Sequence, residues 1–107
     1  MRGEVLKGHL EMLLLAAVRD GASHGYAIIE RLRGRSGGAF DLPEGTIYPA
    51  LHRLERLGAL KSKWVDIAGR RRRVYALTLS GSRLLATQRR EWGAFRKAIA
   101  SVLGATT

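Results

Sequence analysis

GTIYPALHRLERLG, Gly45 to Gly58, reads as an amphipathic helix. Ile47, Leu51, Leu54 and Leu57 recur at helical spacing and are expected to line one face, while Tyr48, His52, Arg53 and Arg56 point away from it. The expected outer face is therefore polar, aromatic and basic. Pro49 leaves the start of the helix open. With Thr46 as N-cap, Pro49 is the third helical residue, whose amide has no intrahelical partner anyway; with a start at Glu44, the proline falls deeper inside and must bend the helix.

What precedes this stretch is helical too. From Gly8 to Arg19, Leu10, Leu13, Leu14, Ala17 and Val18 follow three-and-four spacing, and Gly21 supplies a stop. Ser23 is the expected N-cap of a second helix, with Tyr26, Ile29 and Leu32 on its inner stripe and Gly37 and Gly38 at its end. The short link forces the two helices into a steep helix-turn-helix crossing. After Gly58 the period changes to two: Leu60, Ser62 and Trp64 alternate with Lys61, Lys63 and Val65. AGRRRR then intervenes before Val74 to Leu77, a β-hairpin with an arginine tip in which Trp64 and Tyr75 pack underneath. Three helices and a two-stranded ribbon make a winged helix-turn-helix, a fold that is mainly α with a small β-hairpin.

Thr78 opens a long last helix. Leu85, Trp92 and Ile99 stand seven apart, and Gln88, Phe95 and Val102 repeat that spacing with an offset of three, which is a heptad seam. A helix from Leu79 to Leu103 is about 37 Å long, more than a three-helix head can cover. Burying its distal apolar residues is worth about 2 kcal/mol each, so a second copy of the chain is the natural partner. The expected organisation is one compact unit, with residues 1–78 forming the winged-helix domain and 79–107 a dimerisation helix. No internal repeat, low-complexity tract or linker interrupts it.

Charge indicates the class of partner. Nineteen Lys and Arg against nine Asp and Glu give a formal charge of +10, while 46% of the 107 residues are apolar, too many for the charge to signal disorder. A folded domain this basic calls for a polyanion, and a field of this sign raises the local concentration of phosphates. With no cysteine there is no disulfide framework or thiolate zinc site. The longest apolar run, Met12 to Val18, is seven residues, far short of the roughly 20 that a membrane span needs. The cytoplasm is the expected location.

An enzyme is not expected. His9, His24 and His52 lack metal-ligand spacing, the carboxylates are dispersed, and no Walker-type glycine loop is present, so neither metal nor cofactor is called for. The remaining candidates are the outer face of the Tyr48 helix, whose width suits a DNA major groove, and the run Arg70, Arg71, Arg72 and Arg73, whose mutual repulsion a polyanion would relieve. Lys61 and Lys63 on the first hairpin strand join them. Trp92 admits two readings, seam packing or the wall of a small-molecule pocket. Two rivals to a DNA regulator are a small basic RNA-binding or ribosome-associated protein and an adaptor for an acidic protein.

In their order and spacing, LKGHLEMLLL, HGYAI, GTIYPALHRLERLGALKSKW, RRRRVYALTLSG and the Trp92 helix resemble the PadR family of bacterial transcriptional regulators, in its short subtype with one C-terminal helix. The resemblance implies a winged-helix homodimer on operator DNA, usually a repressor, often of its own gene and of an adjacent transporter or detoxification gene. It puts Thr46, Tyr48, Pro49, His52 and Arg53 on the DNA-facing helix, with the Tyr-Pro pair at an N-terminal end whose free amides and phenol hold a phosphate. It puts Arg70 to Arg73 on the wing. Helix one, with Leu10 and Leu14, and the last helix, with Leu85, Trp92, Phe95, Ile99 and Val102, form the dimer interface. Family members that recruit aromatic ligands do so through interface tryptophans, a position that Trp92 matches.

Overall fold

The computed structural model describes residues 6 and 8–104, so the outer ends of the two expected units, at residues 1 and 107, lie outside the described residues. Its elements are α1 (Leu10–Arg19), β1 (Ser23–His24), α2 (Gly25–Arg35), α3 (Glu44–Arg56), β2 (Leu60–Ile67), β3 (Arg70–Leu77) and α4 (Leu79–Leu103). This is a winged helix with a long C-terminal helix, as expected.

The head closes around Leu14 and Leu15 of α1, Ile28 of α2, Ile47, Leu51 and Leu54 of α3, Leu60 of β2, Tyr75 of β3 and Leu85 of α4. The inner face of α3 is Ile47, Ala50, Leu51 and Leu54; Leu57 lies past the last turn as C-cap and is exposed. In α2 the inner stripe is Ile28, Ile29 and Leu32 with Gly25, which rotates Tyr26 out into solvent. Leu14 and Leu85, expected at a dimer interface, are instead consumed by the chain's own core and have almost no surface left to share.

Capping departs from expectation at α2. His24, not Ser23, caps α2: its Nδ1 accepts from the Ala27 amide at 3.2 Å. The Ser23 hydroxyl is engaged elsewhere, donating to the Gly21 carbonyl and accepting from Arg31 Nη2 at 2.7 Å. Arg31 also donates to the Ala17 carbonyl, so one guanidinium ties α2 to the end of α1. Of the two starts left open for α3 the structure takes Glu44, with Pro43 as a cap lacking any side-chain bond. The amides of Thr46 and Ile47 both donate to the Pro43 carbonyl. Tyr48 and Pro49 therefore sit a full turn inside the helix rather than among its free amides, and Pro49 deprives the Gly45 carbonyl of its donor.

The hairpin is longer than expected. Strands β2 and β3 pair antiparallel from Leu60↔Leu77 to Ile67↔Arg70, and the turn is only Ala68 and Gly69, with φ of 51° and 78°. A two-residue turn with both φ positive matches the twist of the flanking strands, so pairing runs on through every arginine. Arg70 to Arg73 are therefore strand residues, not the tip. A third strand, β1, adds Ser23 and His24 to the other edge of β3, opposite Tyr75 and Val74, giving the order β1-β3-β2.

Thr78 joins wing to last helix. Its hydroxyl accepts from the Gly81 amide at 2.9 Å and lies 2.6 Å from the Gly58 carbonyl, to which it donates. Gly81 permits this approach, because a Cβ there would lie 2.0 Å from the Ala59 carbonyl oxygen. Beyond the first turns α4 leaves the head, and its extension accounts for a molecule measuring 54 × 28 × 21 Å.

Candidate nucleic-acid interface

Helical geometry divides the surface of α3 into three rows. Opposite the buried face runs a ridge of Gly45, Pro49, His52 and Arg56, all exposed. Thr46 and Arg53 flank it on the α1 side, and there Arg53 Nε donates to Glu11 Oε2 at 2.8 Å. Tyr48 and Glu55 flank it on the wing side. His52 and Arg56 make no side-chain hydrogen bond or ion pair among the described residues. Arg56 thus belongs to this surface as fully as His52, though it was absent from the set implied by the resemblance. Arg53 leans away from the ridge, towards a carboxylate 42 positions distant in sequence.

The wing has two faces because alternate strand residues point oppositely. One carries Leu60, Ser62, Trp64 and Asp66 opposite Leu77, Tyr75, Arg73 and Arg71; the other carries Lys61, Lys63, Val65 and Ile67 opposite Ala76, Val74, Arg72 and Arg70. On the first face, Ser62 Oγ donates to Glu55 at 2.6 Å, Arg73 Nε donates to Ser62 Oγ at 2.8 Å, and the Arg73 guanidinium lies 3.4 Å from the Glu55 carboxylate. This chain links α3 to both hairpin strands. The Ser62 hydrogen bond, with Arg73 after it, holds the Glu55 carboxyl below the usual carboxylate range.

Tyr75 is buried, as expected, whereas Trp64 is not. Its indole is 54% exposed, with the guanidinium carbons of Arg71 and Arg73 5.6 and 5.7 Å from the ring. The root of the hairpin is filled by Leu60 and Tyr75, and Trp64 lies farther out, beyond what the head can cover. Across from it the Tyr48 ring rests over Gly25, where any Cβ would come within 2.5 Å of the ring. Together His24, Gly25, Tyr48, Trp64 and the run Arg71 to Arg73 line a cleft of about 220 Å³ between the head and the wing. Among the described residues, Arg70, Arg71 and Arg72 have no acidic partner within ion-pair distance.

A second concavity, about 260 Å³, lies where α4 leaves the head, lined by His9, Met12, Gln88, Glu91, Trp92 and Phe95 among others. The imidazole of His9 meets the Trp92 indole edge-on at 5.2 Å, and Phe95 lies 6.1 Å from the same ring. Gln88 Oε1 is buried there with no hydrogen-bond partner. Trp92, Phe95, Ile99, Val102 and Leu103 continue as an exposed stripe along α4. Among the described residues no three His, Cys, Asp or Glu group as a metal site, and no helix is long and apolar enough to cross a membrane.

Residues 14–87 match the model of the transcriptional regulator PadR-like family. A transcriptional regulator of Mycobacterium tuberculosis is 36% identical over 87 residues, which make up 81% of this chain and 78% of that protein. A solved transcriptional regulator from Clostridium thermocellum superposes with a TM-score of 0.86 at 28% identity, covering 92% of this chain and 97% of that one. A PadR family transcription regulator from Clostridium difficile gives 0.78 at 31% identity, with coverages of 90% and 99%.

Proposed function

This chain belongs to the PadR-like family of transcriptional regulators, and from that premise we propose that it acts as a homodimeric repressor on an inverted-repeat operator in cytoplasmic DNA. PadR-type regulators bind DNA and are not enzymes. The observation that carries the reading is the unpartnered ridge of α3 standing beside a wing with four consecutive arginines, three of them without an acidic partner among the described residues. A major groove about 12 Å wide admits a helix presented in this way.

In this reading residues 1–78 bind DNA and 79–107 make the dimer. Thr46, Tyr48, Pro49, His52 and Arg53 contact the operator with α3, and Arg70, Arg71, Arg72, Arg73, Lys61 and Lys63 neutralise phosphates from the wing. Leu10, Trp92, Phe95, Ile99 and Val102 meet the second copy. The concavity at Trp92 takes a small aromatic or cationic effector, for which the Glu91 carboxylate and the buried Gln88 oxygen are suitable acceptors.

The test is duplex binding across a salt series. Three to four phosphates neutralised per subunit give a slope of log affinity against log salt of about −5 to −7. Footprints on genomic DNA should be inverted repeats with half-site centres about 10 base pairs apart. A slope near zero refutes the DNA reading, and equal affinity for single-stranded RNA replaces it with an RNA-binding protein.

A further inference from the structure

The cleft between head and wing has a chemistry that the fold does not need. Burying an exposed indole is worth about 2 kcal/mol, and apart from the guanidiniums of Arg71 and Arg73 the Trp64 ring is left open, the residue 54% exposed. Its two flanking guanidiniums repel each other. Of the acids near them, Glu55 is already held by Ser62 and Arg73, and Asp66, opposite Arg71 in the strand register, forms no ion pair with it. The opposite wall is the Tyr48 phenol, which lies over Gly25 where any Cβ would displace it. An open apolar plate, two cations at its rim and a hydroxyl across a narrow gap match one deoxyribose and its phosphates: sugar against indole, phosphate oxygens to Arg71 and Arg73.

We propose that Trp64, clasped by Arg71 and Arg73, is itself a DNA-contacting residue, and that the cleft it shares with Tyr48 and Gly25 seats one sugar-phosphate unit of the duplex backbone next to the groove entered by α3. The inference rests on the DNA reading above and adds a residue and an orientation to it: the wing meets this backbone unit with the Trp64 face, Arg72 also lines the cleft, and Lys61, Lys63 and Arg70, on the other face of the strands, serve phosphates outside that seat. A base cannot take this place while it remains stacked in the duplex, so the contact carries affinity rather than sequence choice.

The experiment uses the full chain and a 30-base-pair duplex of mixed sequence at low salt, with two readouts. In hydroxyl-radical footprinting read by mass spectrometry, oxidation of Trp64 should fall several-fold when duplex saturates the protein. In titrations, Trp64→Ala should weaken binding about tenfold, as expected for loss of part of the indole's apolar burial against the sugar, and Trp64→Phe should restore most of it. A role confined to stabilising the hairpin would change the melting temperature without protecting the indole. Undiminished oxidation in the complex, or wild-type affinity in folded W64A, overturns the inference and leaves the DNA reading intact. If the wild-type chain binds no duplex, both fall. Footprinting needs no variant, so it decides the matter even if W64A does not fold.

Discussion

Ala68 is the one non-glycine among the described residues with a positive φ, 51°, at the first position of the wing turn. An L-residue with a Cβ pays about 1 to 2 kcal/mol for that conformation, and asparagine tolerates it better. Ala68→Asn should therefore stabilise the protein by about 0.5 to 1 kcal/mol and raise the melting temperature by roughly 2 to 8 °C. An unchanged or lower value would mean that the turn is not of this type in solution. At this scale the sequence is readable where a residue answers to its near neighbours. Periodicity assigns Ile47, Leu51 and Leu54 to the core correctly. It does not reveal that Arg53 is held by Glu11, or that Gly25 exists to clear the Tyr48 ring, because those partners are set by packing across the fold.

His24 links three elements, as a residue of β1, the cap of α2 and a neighbour of Arg72 in the wing. Burial first, and Arg72 second, lower its pKa, and the neutral ring is also the form that can accept the Ala27 amide at Nδ1. A depressed folded pKa means that the unfolded chain takes up the proton first. The stability due to His24 is therefore complete above the free imidazole value of about 6.5 and is lost as pH falls through the folded pKa. Asp20 and Glu55, also depressed, act only at more acidic pH. In melts from pH 7 to 5, wild type should lose more stability than His24→Asn, whose amide caps at either pH; the bond at stake is worth about 0.5 to 2 kcal/mol. Parallel curves for the two proteins would remove His24 as the cause. Helices were legible as elements because a 3.6-residue period persists over several turns. The strands were harder: four arginines look like a loop until a two-residue turn fixes their register, and a two-residue β1 has no period at all.

For the molecule as a whole, the unspent surface is the distal stripe of α4. Trp92, Phe95, Ile99, Val102 and Leu103 remain exposed, and the heptad spacing of four of them suits a two-fold partner. Phe95→Asp places an unpaired charge in that seam and should convert a dimer to monomer or aggregate while leaving the head folded. Sedimentation of wild type as a monomer at micromolar concentration would refute the dimer. The extent of α4 was legible from its seam; how much of it the head would claim was not, since Leu14 and Leu85 look as available in sequence as Trp92 and are buried within one chain.

The free edge of the sheet has a consequence for solubility. β2 is the outer strand, eight residues long, with Val65 and Ile67 along it and one row of backbone amides and carbonyls unpaired on that side. Such an edge is a template for cross-molecule strand pairing, and proteins commonly suppress that pairing with lysines. Lys61 and Lys63 sit on β2 itself, and the arginines of β3 lie directly behind it. The charge that draws a polyanion in also drives two wings apart, so a variant stripped of it would tend to precipitate as a folded protein.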